Sequence, residues 1–589
     1  MNKAYRVVFN KARGALMVAN ELTSSVQKKG TKTVLAAAAL AMVAAAGVQA
    51  AEEPTEYTYS NQTYIGTANG DKGSGTYKFI RAEGSTYSVG SEDAEYKFIA
   101  TAKDTDGSDK TKKPLAEPAG VYVNESTYRG YKSGNLTING KSLTIVRDNV
   151  KALDPNKTDM SIGIDVSTAN KPGDKSGSKL TVNSKDTVIR AVADKRLGVD
   201  GAKKAYSVGI SAMSWGQVFI NGNLAVDAED AILARGEALV NINESGTNTV
   251  KLKGNVDFNY NGENSGTPVD ATVKIKLSDK DSYWIGRSYV TDDAVGIVSV
   301  SNDDKFAVGR NTEGLSLDIS NGAYWEADGD SFVNTLTVSD GSVKVDDTFK
   351  VSVQKLTAKD AAFAIGKGAS LAAETVESLS LKLLNVDKDG SLIAGDNLTL
   401  TGVGVNSGTV SVQNVKLESG ASFTNTGIFG KDKISGKLII EEGATLFDSE
   451  DSQERFGVTE LRGKFVTLGA TQDVLIDGGQ IDLLGGHFYK GDENTELKDF
   501  KLGVDFADSE RGNAPVLNVL SAGYDLNSIK IGMGGTVNVG KESTAGTLKV
   551  TDLTVGNEVF RGTQPSDNRH GRRYAQPRER HCHHGRSHG

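Results

Sequence analysis

Ser207-Val-Gly-Ile-Ser-Ala212 is followed by Gly216-Gln-Val-Phe-Ile-Asn221, and Asp230-Ala-Ile-Leu-Ala234 by Gly236-Glu-Ala-Leu-Val-Asn-Ile-Asn243. Upstream, Ser161-Ile-Gly-Ile-Asp-Val166 is followed, after a loop, by Ser178-Lys-Leu-Thr-Val-Asn183. The three couples align by eye. In each, apolar residues alternate with polar ones, which marks strands with one dry face and excludes the helical period. Asn and Gly at the strand ends supply the left-handed corners that turns need. Gly216 and Gly236 stand 20 residues apart.

Farther on, Gly-Ala-Ser-Leu (368–371), Gly-Ser-Leu-Ile (390–393), Gly-Ala-Ser-Phe (420–423) and Gly-Ala-Thr-Leu (443–446) recur at steps of 22, 30 and 23. Irregular steps near the low twenties indicate a solenoid whose coils carry variable loops. No Leu/Asn ladder of the leucine-rich type is present. The expectation is an all-β chain, an elongated right-handed parallel β-helix with like residues stacked about 4.8 Å apart. At about 20–25 residues per coil, the body would hold about 20–25 coils. Residues 371–385 read better as strand than as helix.

The chain has 589 residues, with 67 Gly, 9 Pro and a single Cys, Cys582. Its charge is uneven: +6 over residues 1–50, −19 over 51–560 and +5 over 561–589. An acidic body disfavours nucleic acid and anionic lipid as partners. A body without cysteine has no disulfide and no thiolate metal site, which suits export.

The N-terminus explains that suitability. Basic residues 28–32 precede a run of small apolar residues from Val34 to Val48. The run is about 15 residues, short of the about 20 that span a bilayer as a helix. Val48-Gln49-Ala50 then places small side chains at the −3 and −1 positions of a signal-peptidase site, so cleavage is expected between Ala50 and Ala51. A helical signal segment is expected here.

An extra block, residues 1–22, precedes this signal. Met1-Asn2-Lys3, Tyr5-Arg6-Val7, Phe9-Asn10 and Ala19–Leu22 closely resemble the extended signal peptide region of type V secreted proteins of Gram-negative bacteria. That family usually has Trp where Phe9 stands, and Ser-Glu-Leu where this chain ends in Asn20-Glu21-Leu22. The resemblance implies slow export through the Sec translocon, processing by signal peptidase and an outer-membrane route. The passengers of classical autotransporters look like parallel β-helices, in agreement with the body. Such proteins continue into a C-terminal barrel of amphipathic strands. No such strands precede Gly589, so loss of the barrel by truncation is expected, with a periplasmic location for the truncated chain and a surface or extracellular one for a complete chain. The two-partner route would bring Asn-Pro-Asn motifs, of which Asp154-Pro155-Asn156 is a near miss, and the trimeric route heptad stalks, of which none is found.

The domain reading is therefore residues 1–50 as extended signal peptide, 51–131 as a Tyr-rich N-terminal cap or irregular β module, 132–560 as β-helix, and 561–589 as a disordered Arg/His-rich tail of out-of-frame character.

Candidate chemistry is sparse. Gly329-Asp330-Ser331-Phe332 half-resembles a nucleophile turn, but residues 1–569 offer one histidine, His487, as base. Residues 385–396 (Asn385, Asp387, Asp389, Gly390, Ser391, Ile393, Asp396) have the oxygen spacing of a calcium loop, with Asp in place of a bidentate Glu at the twelfth position and Ile393 at the ninth. A solvated corner is the better reading. Asp292-Asp293 and Asp303-Asp304 are turn acids by default. His581-Cys582-His583-His584 could bind Zn²⁺ or Ni²⁺ as a loose peptide, but an accidental tail accounts for it as well. No catalytic, cofactor or metal residues are assigned. The expected protein is a monomeric adhesin-like or structural passenger that meets host or bacterial surface protein or glycan. The rival is a β-helix polysaccharide lyase or hydrolase, which would need acids clustered on one face of the coil.

Overall fold

Ile138, Val182, Ile220, Ile242, Ile275, Leu317, Leu336 and Leu356 stand in register on successive strands, each at most 1% exposed. Each is the inward residue of an alternating strand, and burying one such side chain contributes about 1.5–3 kcal/mol. Repeated along the chain, these ladders form one continuous apolar core. The computed structural model that shows this describes residues 5–10, 15–20, 75–77, 79–84, 86–101, 119–125, 133–148, 160–168, 177–193, 206–260, 271–292, 296–298, 314–469, 472–503, 514–540 and 545–556. Among the described residues there is no helix, and nearly all strand pairs are parallel. The fold is all-β, a parallel β-helix.

The coil has three faces. The first runs from Thr86–Val89 through Asn135–Asp148, Lys179–Val192 and Gln217–Ile220 to Thr536–Val539. The second runs from Gly75–Tyr77 through Glu95–Thr101 to His487–Lys490. The third starts at Ile80–Glu83 and continues through Ala119–Asn124, Met160–Ser167, Tyr206–Met213, Asn223–Arg235, Val250–Tyr260 and Ser288–Asp292. Near the C-terminal end, Val474–Ile476, Asp499–Leu502, Tyr524–Ile531 and Leu548–Val555 form a separate four-stranded parallel sheet. Lys350–Ile365 and Ser370–Val386 are long enough to bend around the coil, so the strand reading of 371–385 holds.

The aligned couples stack as they read: Ser161 on Ser207, and Leu180 on Val218 on Val240. The glycine steps divide differently. Leu371 stacks on Leu392 on one face and Phe423 on Leu446 on another, whereas Leu392 stacks on Val410. The step of 30 therefore joins two faces and is not a turn of the coil. Turns are also unequal. One turn separates Thr335 from Lys355, and a much longer one separates Asn135 from Lys179. The coil consequently has fewer turns than a uniform period would give.

Ile80–Glu83, Thr86–Val89 and Glu95–Thr101 already pair in parallel with the strands that follow. The described part of the Tyr-rich segment thus joins the coil, with Ile80, Ala82, Phe98 and Ala100 supplying inward residues. Within the extra N-terminal block, Tyr5–Asn10 and Ala15–Asn20 pair as an antiparallel hairpin, in keeping with the β-branched run in Tyr-Arg-Val-Val-Phe-Asn. The apolar run 34–48 lies outside the described residues, as do Ala50, Ala51 and the tail.

Aromatic residues fill the wider coils. Trp284 and Trp325 stack with ring centres 5.0 Å apart, both fully buried, and donate to the carbonyls of Gly254 (2.8 Å) and Gly286 (3.0 Å). At Gly404 the Phe423 ring occupies the space a side chain would take.

Candidate binding face

Between residues 95 and 314, the longest segments lie at two of the three corners. The segments after Thr101, Asn124, Asp148, Ser167, Val192, Tyr260 and Asp292 all enter or leave a strand of the third face. The corner between the first and second faces is shorter: Asn135–Asp148 and Lys179–Val192 run straight through it, Asn221 and Gly222 alone separate Ile220 from Asn223, and only the loops Asn243 to Thr249 and Ser278 to Ser282 lengthen it. Variable segments border one side of the coil.

The outer surface of that side breaks the alternation seen elsewhere. An outward row runs Tyr122, Asp165, Ser211, Leu233, Asp257, Tyr289, in register from strand to strand. Outward side chains would ordinarily face water, yet those from Asp165 to Tyr289 are at most 8% exposed. Beside them Ala119, Ile162 and Val208 are buried, and with Leu233, Tyr122 and Met213 they form an apolar cluster separate from the main core. Ile162-Gly-Ile and Val208-Gly-Ile place these apolar side chains, and Ile145 and Ile189 occupy the space that side chains at Gly120 and Gly163 would need.

Several polar groups of this row are hydrogen-bonded. The Ser211 hydroxyl donates to Asp165 Oδ1 at 3.1 Å, and burial pushes the Asp165 carboxyl up to about 6. Asp230, fully buried, accepts from the Tyr289 hydroxyl at 2.8 Å and from Asn255 Nδ2 at 3.2 Å. Burial, then Asp230 and Asp257, holds the Tyr289 hydroxyl well above the ordinary phenol range. The Arg287 guanidinium lies over the Tyr289 ring at 4.6 Å. Such a row can give and take hydrogen bonds and can change charge at Asp165 near pH 6. Among the described residues no group of three or more His, Cys, Asp or Glu side chains is placed to hold a metal ion.

The residues singled out in the sequence lie elsewhere. Ser331 opens the strand Ser331–Ser339, is buried, and donates to the Gly329 carbonyl at 2.9 Å. His487 sits on the second face, many coils away, with Nδ1 2.7 Å from Glu496 Oε1 and its ring against Tyr524. The structure does not bring Ser331 and His487 together. Residues 385–396 are divided among a strand end, the corner Asp387-Lys-Asp-Gly390 and the strand Ser391–Ala394. Asn385 Nδ2 donates to Asp387 Oδ1 at 3.1 Å, and the Ile393 side chain points outward, 47% exposed. Asp292 ends a strand. Asp293, Asp303, Asp304, Asp154-Pro155-Asn156 and His581 to His584 lie outside the described residues. Sequence reasoning missed Asp165, Asp230, Asp257 and Tyr289. The aligned triplet Ile164-Asp165, Ile210-Ser211, Ile232-Leu233 already placed the first of them in one column.

Comparison with known proteins finds one family, the Extended Signal Peptide of Type V secretion system, matched by residues 1–50. No curated protein and no solved structure matches the chain. The matched segment holds the hairpin Tyr5–Asn10/Ala15–Asn20, ahead of the β-helix. That signal marks the chain as an exported, type V secreted protein of the autotransporter type, and the parallel coil behind it fits a passenger domain.

Proposed function

We propose that this chain is an adhesin-like passenger, not an enzyme, that meets host or bacterial surface protein or glycan at the cell surface through the third-face side of its N-terminal half. The supporting observation is the one-sided placement of the inserted segments between residues 95 and 314. Stability alone gives no reason to place the longest segments at two corners and keep the third shorter. Loops on a rigid scaffold are where binding residues concentrate. The test replaces segments 149–159 and 194–205 by short Asn-Gly corners and measures binding of the purified exported chain to host and bacterial cells. The expected result is loss of saturable binding with an unchanged melting temperature. Equal binding by the trimmed chain would remove this reading.

One observation favours a second reading, a polysaccharide lyase or hydrolase: three buried carboxyls, Asp165, Asp230 and Asp257, on the outside of one face. Release of reducing ends or unsaturated sugars from polysaccharides, abolished by Asp230→Asn, would establish it in place of adhesion.

A further inference from the structure

Trp215 stands apart from the other tryptophans of the chain. Trp284 and Trp325 are fully buried, whereas Trp215 is half-buried on a corner between the third and first faces. Its backbone is left-handed (φ 64°), as is that of Ser214 before it (φ 48°). A bulky side chain is rare in that region, where Gly or Asn would serve a plain turn, and such outliers gather at functional sites. One coil on, Gly236 and Glu237 repeat the conformation at φ 56° and 50°. Met213 pairs with Arg235, Ser214 N donates to the Arg235 carbonyl, and Trp215 N donates to the Gly236 carbonyl at 2.9 Å, so the two corners stack. Trp215 Nε1 then donates to Glu237 Oε2 at 2.7 Å. That bond holds the indole and the exposed carboxylate together.

Elsewhere the surface satisfies such groups itself. Lys179 lies over Phe219 at 4.6 Å and Lys464 over Tyr489 at 5.6 Å. Glu326 and Asp346 share Lys344, Glu377 holds Lys355, and Glu493 holds Lys464. Among the described residues, no cation or ring lies over the Trp215 indole and no cation pairs with Glu237. Lys179, on the adjoining face, is already committed to Phe219.

We propose that Trp215 and Glu237 form a receptor for a single cationic side chain, a lysine or arginine presented by a partner protein. The indole is the best aromatic face for a cation, and Glu237 supplies the counter-charge. The body's net charge of −19 would draw a basic partner to it. This deepens the adhesin reading and rests on it, by naming the partner's chemistry at one point of the loop-bearing side.

The experiment titrates the full exported chain with an oligolysine peptide and follows tryptophan emission. With the other two indoles sealed in the core, a change reports Trp215. The expected result is a saturable change that weakens as salt rises, and about fivefold weaker binding for Glu237→Gln. By calorimetry, Trp215→Ala should lose binding while keeping its melting temperature. No saturable change, equal affinity of Glu237→Gln, or the same change with a neutral oligosaccharide independent of salt would each overturn the proposal. If cell binding is lost on trimming the loops but untouched by Glu237→Gln, the receptor falls and the adhesin reading stands.

Discussion

Thr187 shows how strictly one position is set by its stack. It lies between Leu143 and Leu224 on the inward side of the second face, 1% exposed, and its hydroxyl has no hydrogen-bond partner. An unpaired buried hydroxyl costs about 1–3 kcal/mol. Thr187→Val keeps the shape and removes the oxygen, so it should stabilise the protein by about 1 kcal/mol in urea unfolding. A destabilised variant would mean that the hydroxyl is satisfied in solution. Residues such as Val182 and Ile220 were legible because inward and outward neighbours differ in polarity. On the third face that contrast disappears. Ile162, Val208 and Leu233 point outward and are buried, while Asp165 and Asp257 look like ordinary solvated acids. Sequence polarity could not report a face that is covered on its outer side.

Among the elements, the corner after Thr445–Asp448 has the strongest chemical constraint. Asn406 donates to Asn425 at 2.8 Å, and Asn425 to Asp448 at 3.1 Å, on three successive strands. The same Asn425 amide reaches Glu454 at 2.8 Å, and the Ser452 hydroxyl lies 2.6 Å from Asp448 Oδ1. Two carboxyls thus share one set of donors. Burial, then the charge of Glu454, pushes Asp448 well above the ordinary carboxylate range. The folded state therefore holds a proton that the unfolded chain releases near pH 4. Stability is full below that value and falls as pH rises toward the raised one. Asp448→Asn should be more stable than wild type at neutral pH, and the two denaturation curves should converge toward pH 4. Equal pH slopes would show that the carboxyls do not share a proton. Register was partly legible at this scale. The couples at Ser161, Ser207 and Asp230 aligned because they repeat one apolar spacing, although the turn from Ser161 to Ser207 is far longer than that from Val208 to Asp230. Tyr283-Trp284 and Tyr324-Trp325 also stack, but a long insertion separates them, beyond the step the shorter turns suggested.

At the scale of the molecule, each coil touches the coils before and after it, and the core is continuous only through them. Stability in such an array is approximately a sum of coil terms and neighbour interfaces, so damage should stay local. Trp325 is the most informative place to test this. It is fully buried, stacks on Trp284, and sits in register with Val343 on the following strand. Trp325→Ala should cost about 3–5 kcal/mol, enough to open its own coil. Hydrogen exchange should then accelerate in Tyr283–Ile285, Tyr324–Ala327 and Ser342–Val345, and remain at wild-type rates in Thr445–Asp448 and beyond. Uniform acceleration along the chain would show that the rod unfolds as one unit. The outcome also bears on function: a locally breathing coil lets the loop-bearing N-terminal half loosen or tighten while the coils after Asp448 keep their shape.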